Sequence, residues 1–192
     1  MVAMSSKKGI VTNALLFAGI IVGYFVVMGL TSQKSSSYIS FESDSLNVSL
    51  QTLSDSKSAE VSFREFRGDH LLIHFWASWC EACESDYEKF NTLARTLTGV
   101  PIKIIGIVTS ESREAIEKSG KLPGLLFPQY LDEGGRLAQA LNLKTLPQTL
   151  LVRRDGEILL HINRSLDEKS FVDLRKQIAH LVATERQELS SH

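Results

Sequence analysis

The chain has 192 residues, a net charge of −1 and 43% hydrophobic residues. This balance excludes a polyanion-binding arm or an acidic solvating tail as its main business, and nothing in it points to nucleic acid. It is long enough for one globular domain with a real core beyond its first 45 or so residues, and too short for two.

In chain order, residues 10–30 (IVTNALLFAGIIVGYFVVMGL) contain no charge and are long enough to cross a bilayer as a helix. Lys7 and Lys8 precede them and Lys34 is the first charge after them. Residues 1–9 are therefore expected in the cytoplasm and the remainder outside it. The run ends VVMGLTSQ without an A-x-A step, which favours an uncleaved signal anchor over a cleaved signal peptide. Gly19 and Gly23 form a G-x-x-x-G, read as packing freedom for that helix. Residues 31–45 are serine-rich and read as a linker. The domain is expected over 46–187, with a tail at 188–192.

Within the domain, Val48-Ser-Leu50 and Val61-Ser-Phe63 alternate around SDSKSA and predict two short strands. LLIHFW at 71–76 predicts a strand buried on both faces. Tyr87, Phe90, Ala94 and Leu97 recur at helical spacing, with Gly99 and Pro101 marking the end. IKIIGIV (102–108) predicts a second buried strand, and 111–119 and 134–141 predict two helices. TLLVR and EILLHI flank Asp155-Gly156, a hairpin signal. Ser165 and Glu168 have the spacing of a capping box for a last helix, whose apolar face is Phe171, Leu174, Ile178 and Leu181. Strands alternating with helices and closed by a hairpin imply an α/β sheet with helices on both faces.

Both cysteines, Cys80 and Cys83, lie in HFWASWCEACESD, where the first buried strand gives way to a helix. Helix N-termini stabilise a thiolate, so Cys80 is the expected nucleophile. Cys83, one turn on, is placed to attack a mixed disulfide formed at Cys80. A zinc site would need about four ligands, and the five histidines have no paired spacing. Haem attachment fails because residue 84 is Glu rather than His. A structural disulfide of so small a loop would add little stability. Two thiolates could also hold Cu(I) in an anchored metallochaperone-like module, although no third soft ligand or Met cluster is nearby.

FWASWCEAC resembles the FWA-x-WC-x-x-C signature of thioredoxin-fold proteins. The wider pattern resembles the membrane-anchored TlpA/ResA/DsbE-like thiol–disulfide oxidoreductases of bacterial envelopes. The similarity runs from about residue 45 to 180, through the segment SESREAIEKSGKLPGLLFPQYLDEGGRLAQALN and on to TLPQTLLVRRDGEI. It implies a thioredoxin-like fold, in which a central mixed sheet flanked by helices gains N-terminal strands and a βαβ insertion. It implies no cofactor. The implied place is the inner membrane with the domain in the periplasm, the implied substrates are protein disulfides or dithiols, and the implied source of electrons is a membrane donor. Apocytochrome c thiols and copper-centre assembly proteins are the substrates that family suggests. The same residues could run the reaction backwards and oxidise secreted proteins.

By resemblance, LPQT matches G-x-P-x-T, so Pro147 is the cis-proline facing the dithiol and Leu146 offers backbone groups to an incoming peptide. On the residues alone, Pro147 after LNLKT reads as a trans proline ending a helix. His74 stands where relatives carry a buried Asp or Asn. It is either a proton relay for Cys83 or, the favoured reading, a neutral histidine hydrogen-bonded beneath the sheet. Ala82 replaces a frequent Pro. Glu81 sets a carboxylate beside the nucleophile and opposes thiolate formation. Asp86 matches a Glu linked to proton handling, with a solvated surface acid as the alternative. Trp79 reads as an apolar platform for a partner and Trp76 as core.

Overall fold

Branched and aromatic runs become the strands of one mixed sheet in the computed structural model, which describes residues 47–53 and 59–190. The elements are β1 (Ser49–Thr52), β2 (Glu60–Ser62), β3 (His70–Trp76), α1 (Glu81–Thr96), β4 (Ile102–Thr109), α2 (Arg113–Ser119), β5 (Gln129–Asp132), α3 (Arg136–Ala140), β6 (Gln148–Val152), β7 (Ile158–Ile162) and α4 (Glu168–Ser190). The sheet has seven strands in the order β2-β1-β5-β4-β3-β6-β7. β3, β4 and β5 run parallel, while β1 and β2 on one flank and β6 and β7 on the other are antiparallel. This is the thioredoxin-like α/β fold the resemblance implied, a mixed sheet flanked by helices. The predicted span 10–30 and linker 31–45 lie outside the described residues. Among the described residues no helix is long and apolar enough to cross a membrane.

All seven residues of β3 are buried, as its unbroken apolar run predicts. Alternate residues serve opposite faces. Leu71, Ile73 and Phe75 join Leu50, Phe63, Phe66, Ile105, Ile107, Leu150, Leu137 of α3 and Leu141 just after it on one side. Leu72 joins Phe90 and Leu93 of α1 and Leu174, Ile178 and Leu181 of α4 on the other. The expected helices on both faces are present, and α4 uses the apolar face read from its sequence.

The helix starts differ from the sequence pattern for local reasons. α2 begins at Arg113 because Ser112 is its cap, accepting the Ala115 N–H at 3.2 Å. α3 spans only Arg136–Ala140. At α4 the Ser165 capping box does not form: Asp167 Oδ1 accepts the Ser170 N–H at 2.6 Å instead. The Ser165 hydroxyl donates to the Ala82 carbonyl at 2.7 Å, leaving the helix for the dithiol turn. α4 also continues through Ser190, so the predicted tail starts inside the helix.

One row of residues crosses the sheet beneath α1. Thr149, His74, Gly106 and Gln129 are neighbours in register on β6, β3, β4 and β5. Gly106 leaves room for the Gln129 carboxamide: a Cβ there would lie 1.9 Å from Gln129 Oε1. That carboxamide is fixed, because Oε1 accepts the Trp76 Nε1–H at 2.9 Å and Nε2 donates to the Phe127 carbonyl at 2.9 Å. His74 is fully buried and its ring lies 4.3 Å from that of Phe90. Neither ring nitrogen has a hydrogen-bond partner. His74 is buried as the favoured reading expects, but without the hydrogen bond that reading expects.

Burial lowers the His74 pKa from 6.5 to about 3. Burial chiefly, helped by Arg154, also lowers that of His70. Unfolding releases both to bind protons near their ordinary pKa. Their stabilising contribution is therefore complete above about pH 6.5 and declines as pH falls toward 3, with Asp86 opposing the trend in the acid range. Unfolding free energy is expected to drop by up to about 1.4 kcal/mol per pH unit through His74 alone. Denaturant titrations of a His74→Phe variant from pH 7 to 4 should lack that part of the slope; an unchanged slope would exclude His74 as its source. Gly106→Ala should displace Gln129, free the indole N–H of Trp76 and cost about 1–3 kcal/mol by urea midpoint.

Candidate active site

The backbone leaves β3 through Ala77, Ser78 and Trp79 and turns into α1. The Cys80 N–H donates to the Ala77 carbonyl at 3.1 Å, closing the turn, and the Cys83 N–H donates to the Cys80 carbonyl at 3.1 Å. Cys80 is the N-cap of α1 and makes no side-chain capping bond. Its sulfur thus sits at the helix start, at the positive end of the dipole. Cys80 and Cys83 are joined as a disulfide with sulfurs 2.01 Å apart. Cys80 is 6% exposed and Cys83 fully buried, so an incoming sulfur reaches the first and not the second. Both pack with Trp76, Ala77, Val108, Ile116 and Leu131 in a small core cluster at the ends of β3, β4 and β5.

Leu146 packs on the same cluster, which brings the loop before β6 to the core around the dithiol from far along the chain. The Leu146–Pro147 peptide bond is cis, as the resemblance implied and the residues alone did not. The loop is tied down next door: Gln148 Nε2 donates to the Thr145 carbonyl at 2.8 Å and its Oε1 accepts from His161 Nε2 at 2.5 Å. Trp79 is 63% exposed beside Cys80, whereas Trp76 is fully buried edge-on to Tyr87. Glu81 opens α1 on its exposed side.

Asp86 is not a solvated surface acid. It is fully buried, one turn beyond Cys83 on α1. Its Oδ1 accepts the Leu166 N–H at 2.8 Å, and its Oδ2 has no partner. Burial pushes its carboxyl above the usual range, with the Leu166 bond pulling weakly the other way. A carboxyl of that kind can carry a proton at a pH where exposed aspartates are ionised. His74 lies on the same side of the sheet, against Phe90, but its low pKa leaves it neutral and without a hydrogen bond to pass a proton along. The structure therefore places the cysteines, Trp79 and Glu81 at one turn, packs Leu146 on the cysteine cluster, buries Asp86 one helical turn beyond Cys83 and buries His74 against Phe90.

Four neighbours were not legible as site residues: Gln129, Glu111, Lys121 and Ser165. Gln129 supports the indole of Trp76, and Ser165 grips the Ala82 carbonyl between the cysteines. Glu111 and Lys121 bond to Ser78. Only Gln129 left a signal, through Gly106, a glycine inside the apolar run IKIIGIV that marks a close approach.

Comparison with known proteins agrees with this geometry. The thiol–disulfide oxidoreductase ResA of Bacillus cereus (strain ATCC 10987 / NRS 248) is 25% identical over 173 residues, covering 86% of this chain and 97% of that protein. ResA of Bacillus subtilis (strain 168) is 24% identical over 162 residues, covering 84% and 88%. A secreted Mycobacterium tuberculosis disulfide oxidoreductase homologous to E. coli DsbE superposes with a TM-score of 0.59 at 22% identity, over 72% of this chain and 99% of that one. StoA of Bacillus subtilis superposes with a TM-score of 0.54 at 20% identity, over 67% and 93%. At such identities the superpositions establish the thioredoxin-like fold. The AhpC/TSA family matches residues 45–161. With that match, the fold and a Cys80–Cys83 pair at the strand–helix turn, the chain belongs to the AhpC/TSA family and is a thioredoxin-like thiol–disulfide oxidoreductase.

Proposed function

We propose that the protein reduces disulfides of other proteins on the outer face of a bacterial cytoplasmic membrane, anchored there by residues 10–30. The observation that carries the mechanism is the unequal exposure of the two sulfurs at the start of α1. The Cys80 thiolate attacks one sulfur of a partner disulfide; a mixed disulfide forms and the partner's other sulfur leaves as a thiolate. Cys83 then gives up its proton and attacks Cys80 Sγ. The second partner sulfur leaves, and the Cys80–Cys83 disulfide remains. Two electrons have passed from the dithiol to the partner, and the oxidised protein is the form described above.

Asp86 accepts the Cys83 proton in the second step. Its unpartnered Oδ2 and its pKa, raised by burial, suit that exchange one helical turn from the thiol. Trp79 gives the partner an apolar face to rest on, and Leu146 offers main-chain hydrogen bonds to an extended segment around the target cysteine. A reductant outside the cytoplasm must be recharged, so a membrane protein supplying electrons is part of the reading. Haem-binding thiols of apocytochrome c are the substrates we favour of the two that the resemblance suggests.

Full-length Cys83→Ser protein should accumulate mixed disulfides through Cys80, and Cys80→Ser should not; the opposite result reverses the two roles. Equilibration with dithiothreitol or glutathione couples should give a potential near the reducing end, at about −250 mV or below. A value near the about −120 mV of a strong oxidant would overturn the direction. Asp86→Asn should slow release of a reduced partner at pH 7 by about tenfold or more while leaving the first attack at Cys80 near wild type. Equal slowing of both steps would remove Asp86 from the proton path.

A further inference from the structure

Ser78 lies two residues before Cys80, inside the turn that delivers it. All three of its polar groups are taken by two side chains from the segment joining β4 to β5. Its N–H donates to Glu111 Oε1 at 2.6 Å and its hydroxyl to Glu111 Oε2 at 2.5 Å. Its carbonyl accepts from Lys121 Nζ at 2.6 Å. The same ammonium donates to Glu84 Oε1 at 2.5 Å, and Glu84 directly follows Cys83. Lys121 therefore ties the residue two before the first cysteine to the residue one after the second.

These contacts differ from ordinary surface pairing. An exposed Lys–Glu pair contributes little by itself. Here the lysine also satisfies a backbone carbonyl, and the carboxylate of Glu111 engages one residue with both oxygens, a geometry that fixes position as well as distance. The braces come from a rigid source. Ser112 caps α2 immediately after Glu111, and Ile116 of α2 is fully buried in the cluster that holds both cysteines. The Gly120 N–H closes the far end of α2 on the Glu117 carbonyl just before Lys121.

We propose that Glu111 and Lys121 are positioning residues for the dithiol, clamping both flanks of the Cys80–Cys83 turn and fixing the sulfur of Cys80 at the start of α1. The inference rests on the reading of that pair as the working redox couple. The clamp also carries charge. The ammonium of Lys121 favours an anion at Cys80 and the carboxylate of Glu111 disfavours one, so the two braces hold the turn together while pulling its thiolate in opposite directions.

The opposition supplies a test that mere loss of structure would not mimic. In reduced full-length protein, the pH dependence of Cys80 alkylation by iodoacetamide reports its thiolate fraction. Lys121→Met should move the profile to higher pH and lower the thiolate fraction at pH 7 about threefold, while Lys121→Arg should stay near wild type. Glu111→Gln keeps an acceptor for the Ser78 N–H and a partner for its hydroxyl, and it should move the profile to lower pH by a similar factor. Opposite shifts with rescue by arginine support the clamp. Shifts of the same sign, or none in either variant, overturn it. Whether the wild-type pair cycles between dithiol and disulfide with dithiothreitol is read separately. Failure there would remove the redox reading, whereas failure of the variants alone would remove only the clamp.

Discussion

The dithiol depends on β3. The strand is buried along its whole length and hydrogen-bonded on both edges, to β4 in parallel and to β6 antiparallel. Register in such a strand is strongly specified, because a slip of one residue would move Trp76 and His74 to the opposite face. The last residue of β3 therefore fixes where the chain must turn, and the turn places Cys80 at a helix start. The neighbouring β6 carries the cis Leu146–Pro147 step to the same end of the sheet. Two segments far apart in sequence meet at one core cluster because both are continuations of adjacent strands.

The region beneath that sulfur contains polar groups that a core built only for stability would lack. His74, Thr149 and Asp86 are fully buried, and each has a polar atom without a partner. Such an atom costs about 1–3 kcal/mol. All three lie on or against the face of the sheet covered by α1, the helix that carries both cysteines. His74 is tolerated because burial keeps it uncharged and Phe90 packs on its ring. Asp86 keeps one oxygen bonded to Leu166 at the approach to α4 and leaves the other open. That open oxygen leaves Asp86 with an unused acceptor one helical turn beyond Cys83.

Much of this was legible in the sequence, and the failures share a cause. The buried strand LLIHFW, the helix after it, the hairpin at Asp155-Gly156 and the apolar face of α4 follow from periodicity and turn chemistry, which are local. The two thiols at a strand–helix junction were equally legible. Ser165 was misread because its hydroxyl has a tertiary choice, the Ala82 carbonyl, that outweighs its local cap. Asp86 carries the polar letter of a surface residue, and the N–H that its buried carboxylate accepts belongs to Leu166, 80 positions away. Glu111 and Lys121 look like solvated charges in SESREAIEKSGK until the fold brings Ser78 between them. Pairings of this kind depend on the path of the chain and leave no period in the sequence.

The charges at the start of α1 connect the helix to its chemistry. Glu81 and Glu84 both lie in the first turn, where carboxylates stabilise a helix by meeting the positive end of its dipole. A thiolate at Cys80 would draw on the same favourable field, now partly compensated by those two side chains. Glu111, bonded two residues before the sulfur, adds a third carboxylate, and Lys121 is the cation bonded at the turn. Acidic surroundings of this kind make a thiolate harder to form and leave the reduced pair without the stabilisation that makes a strong oxidant oxidising. On the reductase reading, the residues that stabilise α1 also tilt its dithiol toward giving electrons away.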